Sequence, residues 1–98
     1  MDPNSVIDVV QHQLGLFDLA LNDIEISQPT PNAVELRGMI NGSRVRVEAT
    51  GGQRPADYAF TIWLYDDHNE PVGRGNGGRT LQDAASVYQW QSVAVRYR

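Results

Sequence analysis

The fold of this chain is decided by residues 33–50, which read AVELRGMINGSRVRVEAT. The central dipeptide, Asn41-Gly42, is typical of a two-residue type I′ hairpin turn, which needs positive φ at both positions. With this dipeptide as the loop, the apolar side chains of both arms lie on one face, in the pairs Val34–Ala49, Leu36–Val47 and Gly38–Val45. Because a one-residue slip would turn all of them to the other face, strands 33–40 and 43–50 have a well-specified register.

The opposite face of the hairpin is polar and sets like charges directly across from one another. Arg37 faces Arg46, and Glu35 faces Glu48. The unlike charges are diagonal neighbours, with Glu35 near Arg46 and Arg37 near Glu48. Such an arrangement is tolerable only where water or a partner reaches it.

Further elements on both sides of the hairpin predict a single α+β domain over residues 1–98. Residues 4–21 place their apolar side chains on one half of a helical wheel, which indicates an amphipathic N-terminal helix. The alternative ends this helix at Gly15 and makes residues 17–21 a strand. Three or four antiparallel strands form the predicted sheet, at 33–40, 43–50 and 57–65, with shorter candidates at 24–27 and 71–74.

A C-terminal helix packed on the sheet is predicted over residues 81–95. Thr80 is its capping residue, and Asp83 three positions later approximates a capping box. The inner stripe of this helix consists of Leu81, Ala84, Ala85, Tyr88 and Val95. A second stripe, nearly opposite, would need a neighbour, and it consists of Val87, Trp90, Ala94 and Tyr97. The alternation in residues 92–98 leaves a terminal strand open as the other interpretation.

The composition describes a small acidic chain of 98 residues with net charge −4, no cysteine and two histidines. Without cysteine there is neither a disulfide framework nor a thiolate ligand or nucleophile, which suits a reducing compartment. Residues 1–4 carry no basic side chain, and the longest near-apolar run, residues 58–65, is too short to cross a bilayer. These features predict a cytoplasmic protein without a membrane partner.

The charges are distributed unevenly along the chain. Residues 1–36 hold six of the twelve carboxylates and no basic residue, whereas residues 37–98 hold all eight basic residues, every one an arginine. The lack of lysine is typical of a GC-rich coding bias. A dipolar domain of this kind is poorly suited to broad phosphate binding and better suited to oriented docking on another protein.

A glycine-rich segment, residues 73–80, reads GRGNGGRT and matches two nucleotide-binding spacings. It fits G-x-G-x-x-G, and it fits the P-loop pattern except that arginine replaces lysine. Only eighteen residues follow Thr80, too few for the parallel strands that either fold requires. We interpret the segment as a connection into a capped helix. A candidate anion site remains at that helix start, formed by Arg74, Gly77, Gly78, Arg79 and Thr80.

The same segment gives the chain a layout similar to that of double-stranded RNA-binding domains. In that family a helix, three antiparallel strands and a second helix follow one another, and a glycine-rich turn such as residues 73–75 precedes an alanine-bearing helix such as Ala84-Ala85. The family uses lysines at the start of the second helix, where this chain has Leu-Gln-Asp at residues 81–83. We therefore take the likeness as shared architecture and expect no binding of RNA duplexes.

The densest polar cluster, residues 66–70, reads DDHNE and is predicted to be a solvated turn. Its spacing matches no calcium loop, because the alternating oxygen ligands, the central glycine and the terminal glutamate are absent. The histidines, His12 and His68, are isolated and belong to no recognisable arrangement of nucleophile and base. We predict no catalytic residue, no metal ligand and no cofactor.

The sheet face away from the first helix is the candidate interaction surface. Alternation along the strands places on it Arg37, Met39, Arg44, Arg46, Trp63 and Tyr65, and the outer stripe of the C-terminal helix adds Trp90 and Tyr97. These residue types are enriched in the cores of protein interfaces. The alternative is that the C-terminal helix covers the aromatic half of this face.

Together these features predict a small non-enzymatic protein-interaction module, with homodimerisation through the outer aromatic stripe. An accessory or inhibitor protein of a GC-rich bacterium or its phage would have this composition. The alternative is a nucleic-acid-binding domain in which Trp63 and Tyr65 stack on bases while arginines contact phosphates. A phosphate-binding enzyme built on the glycine-rich segment is the third hypothesis.

Overall fold

The computed structural model describes residues 1–52 and 59–98. Within these residues the elements are, in chain order, α1 (Pro3–Gly15), β1 (Asn22–Thr30), β2 (Ala33–Ile40), β3 (Ser43–Thr50), β4 (Thr61–Tyr65), α2 (Leu81–Val87) and α3 (Trp90–Tyr97). The strands form one antiparallel sheet in the order β1-β2-β3-β4, and the helices pack against one another and on the sheet. This arrangement confirms the predicted α+β class.

The central hairpin has the predicted register at every pair. Ile40 lies opposite Ser43, and the pairing continues without a shift to Ala33 and Thr50. The turn has φ of 49° at Asn41 and 81° at Gly42, as a type I′ turn requires. The apolar side chains of β2 and β3 are buried against the helices, which places the core on one side of the sheet.

The outer strands differ from their predicted lengths. β1 covers Asn22–Thr30 rather than 24–27, and its pairing with β2 is interrupted by register shifts. β4 begins at Thr61, and the first part of the predicted strand 57–65 falls on residues 57 and 58, which lie outside the described residues. The predicted strand 71–74 is reduced to a bridge between Pro71 and Tyr65, because the chain leaves the sheet edge after Val72.

The helix α1 starts as predicted but ends earlier than residue 21. The Asp2 side chain caps it by accepting a hydrogen bond from the Asn4 amide at 3.0 Å. At the other end the Leu19 amide donates a hydrogen bond to the Leu14 carbonyl at 3.0 Å. Asp18, between them in sequence, is in the left-handed region at φ 58°. This Schellman-type ending lets Leu19 leave the helix and enter the core. The alternative end at Gly15 was therefore right, but residues 17–21 form a turn and an irregular segment instead of a strand.

The predicted helix 81–95 is two helices, and the break between them corrects the position of its outer stripe. Thr80 caps α2 by accepting from the Asp83 amide at 3.1 Å, as predicted. At the break, however, the Gln89 amide donates to Arg74 O at 2.8 Å instead of to Ala85 O, its partner in a continuous helix. The freed Ala85 carbonyl accepts the Trp90 indole N–H at 2.6 Å.

This break turns Trp90, Ala94 and Tyr97 of the second stripe inward. Val87 of that stripe stays exposed, and Val95, predicted on the inner stripe, is exposed as well. Trp90 and Tyr97 are only 3% and 5% exposed, and with Val93 and Ala94 they form the buried face of α3 at helical spacing. The prediction that Trp90 and Tyr97 form an outer stripe available to another chain is therefore wrong. The terminal-strand interpretation of residues 92–98 is wrong too, since Trp90–Tyr97 is helical.

The hydroxyl of Tyr88 closes the outer edge of β4. It accepts a hydrogen bond from the Leu64 amide at 3.1 Å and donates to the Val72 carbonyl at 2.5 Å. Burial raises the pKa of Tyr88 to about 12, so the hydroxyl remains a donor across the physiological range. Within the described ranges no helix is long and apolar enough to cross a membrane.

Two conservative substitutions should show that the hydroxyl of Tyr88 contributes to stability and that a buried hydroxyl without a partner does not. Tyr88→Phe is expected to lower the free energy of unfolding by about 1–3 kcal/mol, because it strands the Leu64 amide and the Val72 carbonyl. The Tyr97 hydroxyl is buried without a hydrogen-bond partner among the described residues, so Tyr97→Phe should be neutral or slightly stabilising. Urea denaturation of both variants measures the difference, and equal losses would contradict this account of the β4 edge.

Candidate functional site

The face of the sheet opposite the core brings together six of the eight predicted interaction residues, and Trp90 and Tyr97 lie in the core instead. The β2–β3 register sets Met39 opposite Arg44 and Arg37 opposite Arg46. The β3–β4 register adds the aromatic residues, with Tyr65 next to Arg46 and Trp63 next to Glu48, and all of these side chains alternate with buried ones.

A groove of about 460 Å³ crosses this face from β1 to the turn after β4, and we call it the sheet groove. Its floor includes Met39, which is half-buried. Its charged lining consists of the arginines Arg37, Arg44 and Arg46 and the carboxylates Asp23, Glu25, Asp66 and Asp67. The carboxylates outnumber the arginines, so the sheet groove carries both signs of charge and no excess of positive charge.

Two of the three arginines in the sheet groove are already paired within the chain. Arg37 Nε lies 2.6 Å from Glu35 Oε1, and Arg46 pairs with Glu48 and also donates to Asn69 Oδ1. The unlike charges are diagonal neighbours, as predicted, but each arginine forms its ion pair with the carboxylate two positions away on its own strand. Residues two apart on a strand share a face, and this contact needs no reach across the sheet.

The aromatic half of the face is partly engaged as well. The Arg46 guanidinium lies over the ring of Tyr65, 4.3 Å from its centroid. The ring of Trp63 meets Tyr88 edge to face, with centroids 6.0 Å apart. The residue that follows α2 therefore reaches the rim of this face, which bears out in part the alternative that the C-terminal helical region covers the aromatic residues.

Arg44 differs from the other arginines of the sheet groove. It is exposed at the start of β3, and it has no ion pair, side-chain hydrogen bond or ring contact within the described part of the chain. It lines both the sheet groove and an adjoining groove of about 370 Å³ that extends to Arg96 and Tyr97. Arg44 is thus a cation beside the half-buried Met39, and no described residue pairs with its charge.

The turn at residues 66–70 forms one wall of the sheet groove and is organised by a buried carboxylate. Asp66 is 8% exposed, and its Oδ1 accepts from the His68 and Glu70 amides at 2.9 Å each. Its Oδ2 accepts from Arg96 Nη2 at 3.0 Å, which ties the turn to α3. Hydrogen bonds from the Glu70 and His68 amides and the nearby Arg96 charge lower the pKa of Asp66 below its ordinary value of 3.8.

This lowered pKa predicts an acid-sensitive contribution to stability. A carboxyl whose pKa is lower in the folded state stabilises the fold above its unfolded pKa, and the contribution is lost as the pH falls through the folded value. We expect the Asp66 contribution to be complete at neutral pH and to decline below about pH 4. Urea denaturation at pH 7 and pH 3 should show that Asp66→Asn costs stability mainly at pH 7. Asp67→Asn, at an exposed neighbour, should change neutral-pH stability little, and a pH-independent loss in Asp66→Asn would contradict this role.

The candidate anion site lies apart from the sheet groove, and the amides of Gly78 and of the neighbouring Asp83 already have partners within the chain. Gly78 forms a bridge with Phe60, in which each amide donates to the other carbonyl at 2.9 Å. The amide of Asp83 donates to the Thr80 side chain, and the Asp83 carboxylate lies in the first turn of α2. Gly77 approaches the Phe60 carbonyl so closely that a Cβ there would lie 2.5 Å from its oxygen. Arg74 and Arg79 are exposed on either side of these glycines.

Several groups of the sheet groove were missed by the sequence analysis. Asp23 and Glu25 reach it from the irregular pairing of β1, and Asp67 and Asn69 reach it from the turn after β4. The only sequence signal for these groups was the polar cluster at residues 66–70. It directly follows an alternating strand, so the turn that it forms lies beside the adjacent strand of the sheet. Among the described residues no group of three histidine or carboxylate side chains is close enough to hold a metal ion.

Comparison with known proteins gives no match for this chain. No family model matches the sequence, and neither curated proteins nor solved structures contain a significant match. Any function of the sheet groove must therefore be inferred from its own charges and contacts.

Proposed function

We propose that this chain is a small non-enzymatic protein-interaction module that docks on a protein partner through the sheet groove. The observation that carries the proposal is Arg44, a cation beside the half-buried Met39 that has no partner among residues 1–52 and 59–98. A partner that supplies a carboxylate to Arg44 and an apolar side chain to Met39 would satisfy both residues. The rim carboxylates Asp23, Glu25 and Asp67 favour a basic side chain on the same partner.

The mixed charge of the sheet groove favours a protein over a nucleic acid. Arg37 and Arg46 are neutralised by Glu35 and Glu48, so few positive charges remain for phosphates. The Tyr65 ring is also covered on one face by the Arg46 guanidinium, which reduces the surface on which a base could stack.

A docking module of this kind acts by occupying a surface of its partner, as accessory and inhibitor proteins do. The uneven charge along the chain supports a defined orientation on that partner. We place this action in the cytoplasm of a GC-rich bacterium or in a cell infected by its phage, on the basis of the cysteine-free and lysine-free composition.

Selection from a random peptide library tests the proposal with a defined probe. Peptides selected on the wild-type protein should contain an acidic residue, and their affinity should fall about tenfold or more in Arg44→Ala, since a charge-assisted contact is lost. Arg74→Ala removes an exposed arginine outside the sheet groove and should leave affinity unchanged. Peptides whose binding is indifferent to Arg44→Ala and Met39→Ala would overturn the sheet groove as the docking surface.

The competing functions are distinguished by two further probes. Tight binding of a single-stranded oligonucleotide that weakens steeply with salt, and that Trp63→Ala with Arg46→Ala abolishes, would replace the proposal with nucleic-acid binding. Thermal stabilisation by millimolar nucleotide and magnesium, lost in Arg79→Ala, would indicate the phosphate-binding enzyme. Under the proposal neither effect appears.

A further inference from the structure

The helical side of the molecule carries a second groove, which differs in character from the sheet groove. It has a volume of about 690 Å³, lies between the end of α1 and the helices α2 and α3, and we call it the helix groove. Leu16 and Val95 line it and are each 66% exposed, and Phe17 and the buried Trp90 line it as well. Val87, 53% exposed, lies between two further lining residues, Ser86 and Tyr88.

Large apolar side chains are concentrated here. In the described part of the chain four of them are exposed, and three, Leu16, Val87 and Val95, lie in or next to the helix groove. The fourth, Ile26, is on β1. A concentration of exposed apolar side chains in one place marks an interaction surface rather than the scattered exposure that is normal for a monomer.

Among the residues that the structure describes, the polar side chains that line the helix groove are all uncharged. They are Gln13, Ser86, Gln89, Gln91 and Ser92. Tyr88 also lines the helix groove, but its hydroxyl is bonded to Leu64 and Val72 at the edge of β4. Amide and hydroxyl side chains both donate and accept hydrogen bonds, so each can pair with a copy of itself or of its neighbours. A charged side chain would instead meet its own charge across a two-fold axis.

We propose that the helix groove is a self-association surface that binds the same groove of a second copy of this chain. The net charge of −4 makes two copies repel one another over most orientations, and an uncharged surface is where they meet at least electrostatic cost. A partner of different sequence would gain no charge-based specificity from this uncharged lining. A lining whose side chains can pair with copies of themselves suits a two-fold contact between identical chains. The helix groove lies on the opposite side of the sheet from the sheet groove, so a dimer leaves both sheet grooves open. The inference therefore does not depend on what the sheet groove binds.

Sedimentation equilibrium of the full chain over a concentration series tests this inference. The wild-type protein should approach twice its chain mass of 10.9 kDa as concentration rises. Val95→Glu and Leu16→Glu should each raise the dissociation constant about tenfold or more, because an unpaired charge would be buried in the contact. Added salt should leave dimerisation unchanged or strengthen it, since salt screens the repulsion between acidic copies.

A matched control is available at the exposed apolar residue outside the helix groove. Ile26→Glu introduces the same charge on β1 and should leave the dissociation constant unchanged. A wild-type chain that stays monomeric at its highest soluble concentration would overturn the inference, as would a dimer that Ile26→Glu disrupts and Val95→Glu does not. A dilution series of the wild-type protein by NMR needs no variant, and it should shift the amides of Leu16, Ser92 and Val95; shifts confined to other residues would contradict the proposed surface.

Discussion

Replacing Trp90 by alanine is expected to lower the free energy of unfolding by about 3–5 kcal/mol, the range for removing a large aromatic side chain from a core. Trp90 is 3% exposed and lies against Tyr88, with ring centroids 5.1 Å apart. Its indole N–H also satisfies the Ala85 carbonyl that the helix break leaves free. The substitution therefore removes packing and leaves a buried acceptor without its partner.

Urea denaturation of purified protein measures this loss, with Ile26→Ala as the control. Ile26 is 50% exposed, and its truncation should change stability by no more than about 0.5 kcal/mol. If Trp90→Ala does not fold, Trp90→Phe is the alternative variant, because it keeps a ring and loses only the indole donor and some volume. Its loss of stability should lie between those of Ile26→Ala and Trp90→Ala. A Trp90→Ala variant as stable as Ile26→Ala would contradict the core position and restore the outer stripe as a surface for another chain.

Replacing Gly77 by alanine is expected to cost about 2–4 kcal/mol, from an unfavourable backbone conformation and from overpacking together. Gly77 has φ of 82°, and its added Cβ would lie 2.5 Å from the Phe60 carbonyl oxygen. That carbonyl belongs to the Phe60–Gly78 bridge, so it cannot move away without breaking the pairing at the start of β4. The two contributions therefore act at one position.

Gly42 provides the matched control because its φ of 81° is nearly identical and nothing lies within 4 Å of its added Cβ. Gly42→Ala should cost only the conformational part, about 1–2 kcal/mol. The difference between the two variants in thermal or urea denaturation isolates the close approach of Gly77 to Phe60. Equal losses would show that the glycine-rich segment does not need its small residues for packing, and would leave anion binding as a reason for them.

The hairpin could be predicted from sequence because two independent signals agree. Asn41-Gly42 fixes where the chain turns, and the alternation of apolar residues fixes which face each side chain takes. The position of Arg44 beside Met39 on the polar face follows from these signals alone. The helix cap at Thr80 could be predicted too, because its signal is local: a threonine with Asp83 three positions later.

The helix break could not be predicted because it depends on a distant partner. Nothing between Tyr88 and Trp90 is a glycine or a proline, and the periodicity continues through the break. What interrupts the helix is the Arg74 carbonyl, which takes the Gln89 amide. Trp90, Ala94 and Tyr97 were therefore assigned to the wrong side of the helix, even though their helical spacing was read correctly.

The acidic part of the sheet groove could not be predicted from the sequence either. Asp23 and Asp67 come from an irregular strand and from a turn, and neither element has a periodicity that predicts the direction of a side chain. The ion pairs could not be predicted either. Arg37 and Arg46 each pair with a carboxylate on their own strand, and alternation alone does not indicate this choice. Sequence alternation predicts the face that a residue occupies and not the partner that it selects there.

The strand order β1-β2-β3-β4 has a consequence for how the chain acquires its fold. Every strand pairs with its neighbour in sequence, so the sheet forms through short loop closures with little loss of chain entropy. We expect the β2–β3 hairpin to form early and the sheet to grow outward from it. The contacts of α1 with α2 and α3 join distant parts of the chain, and they should form last.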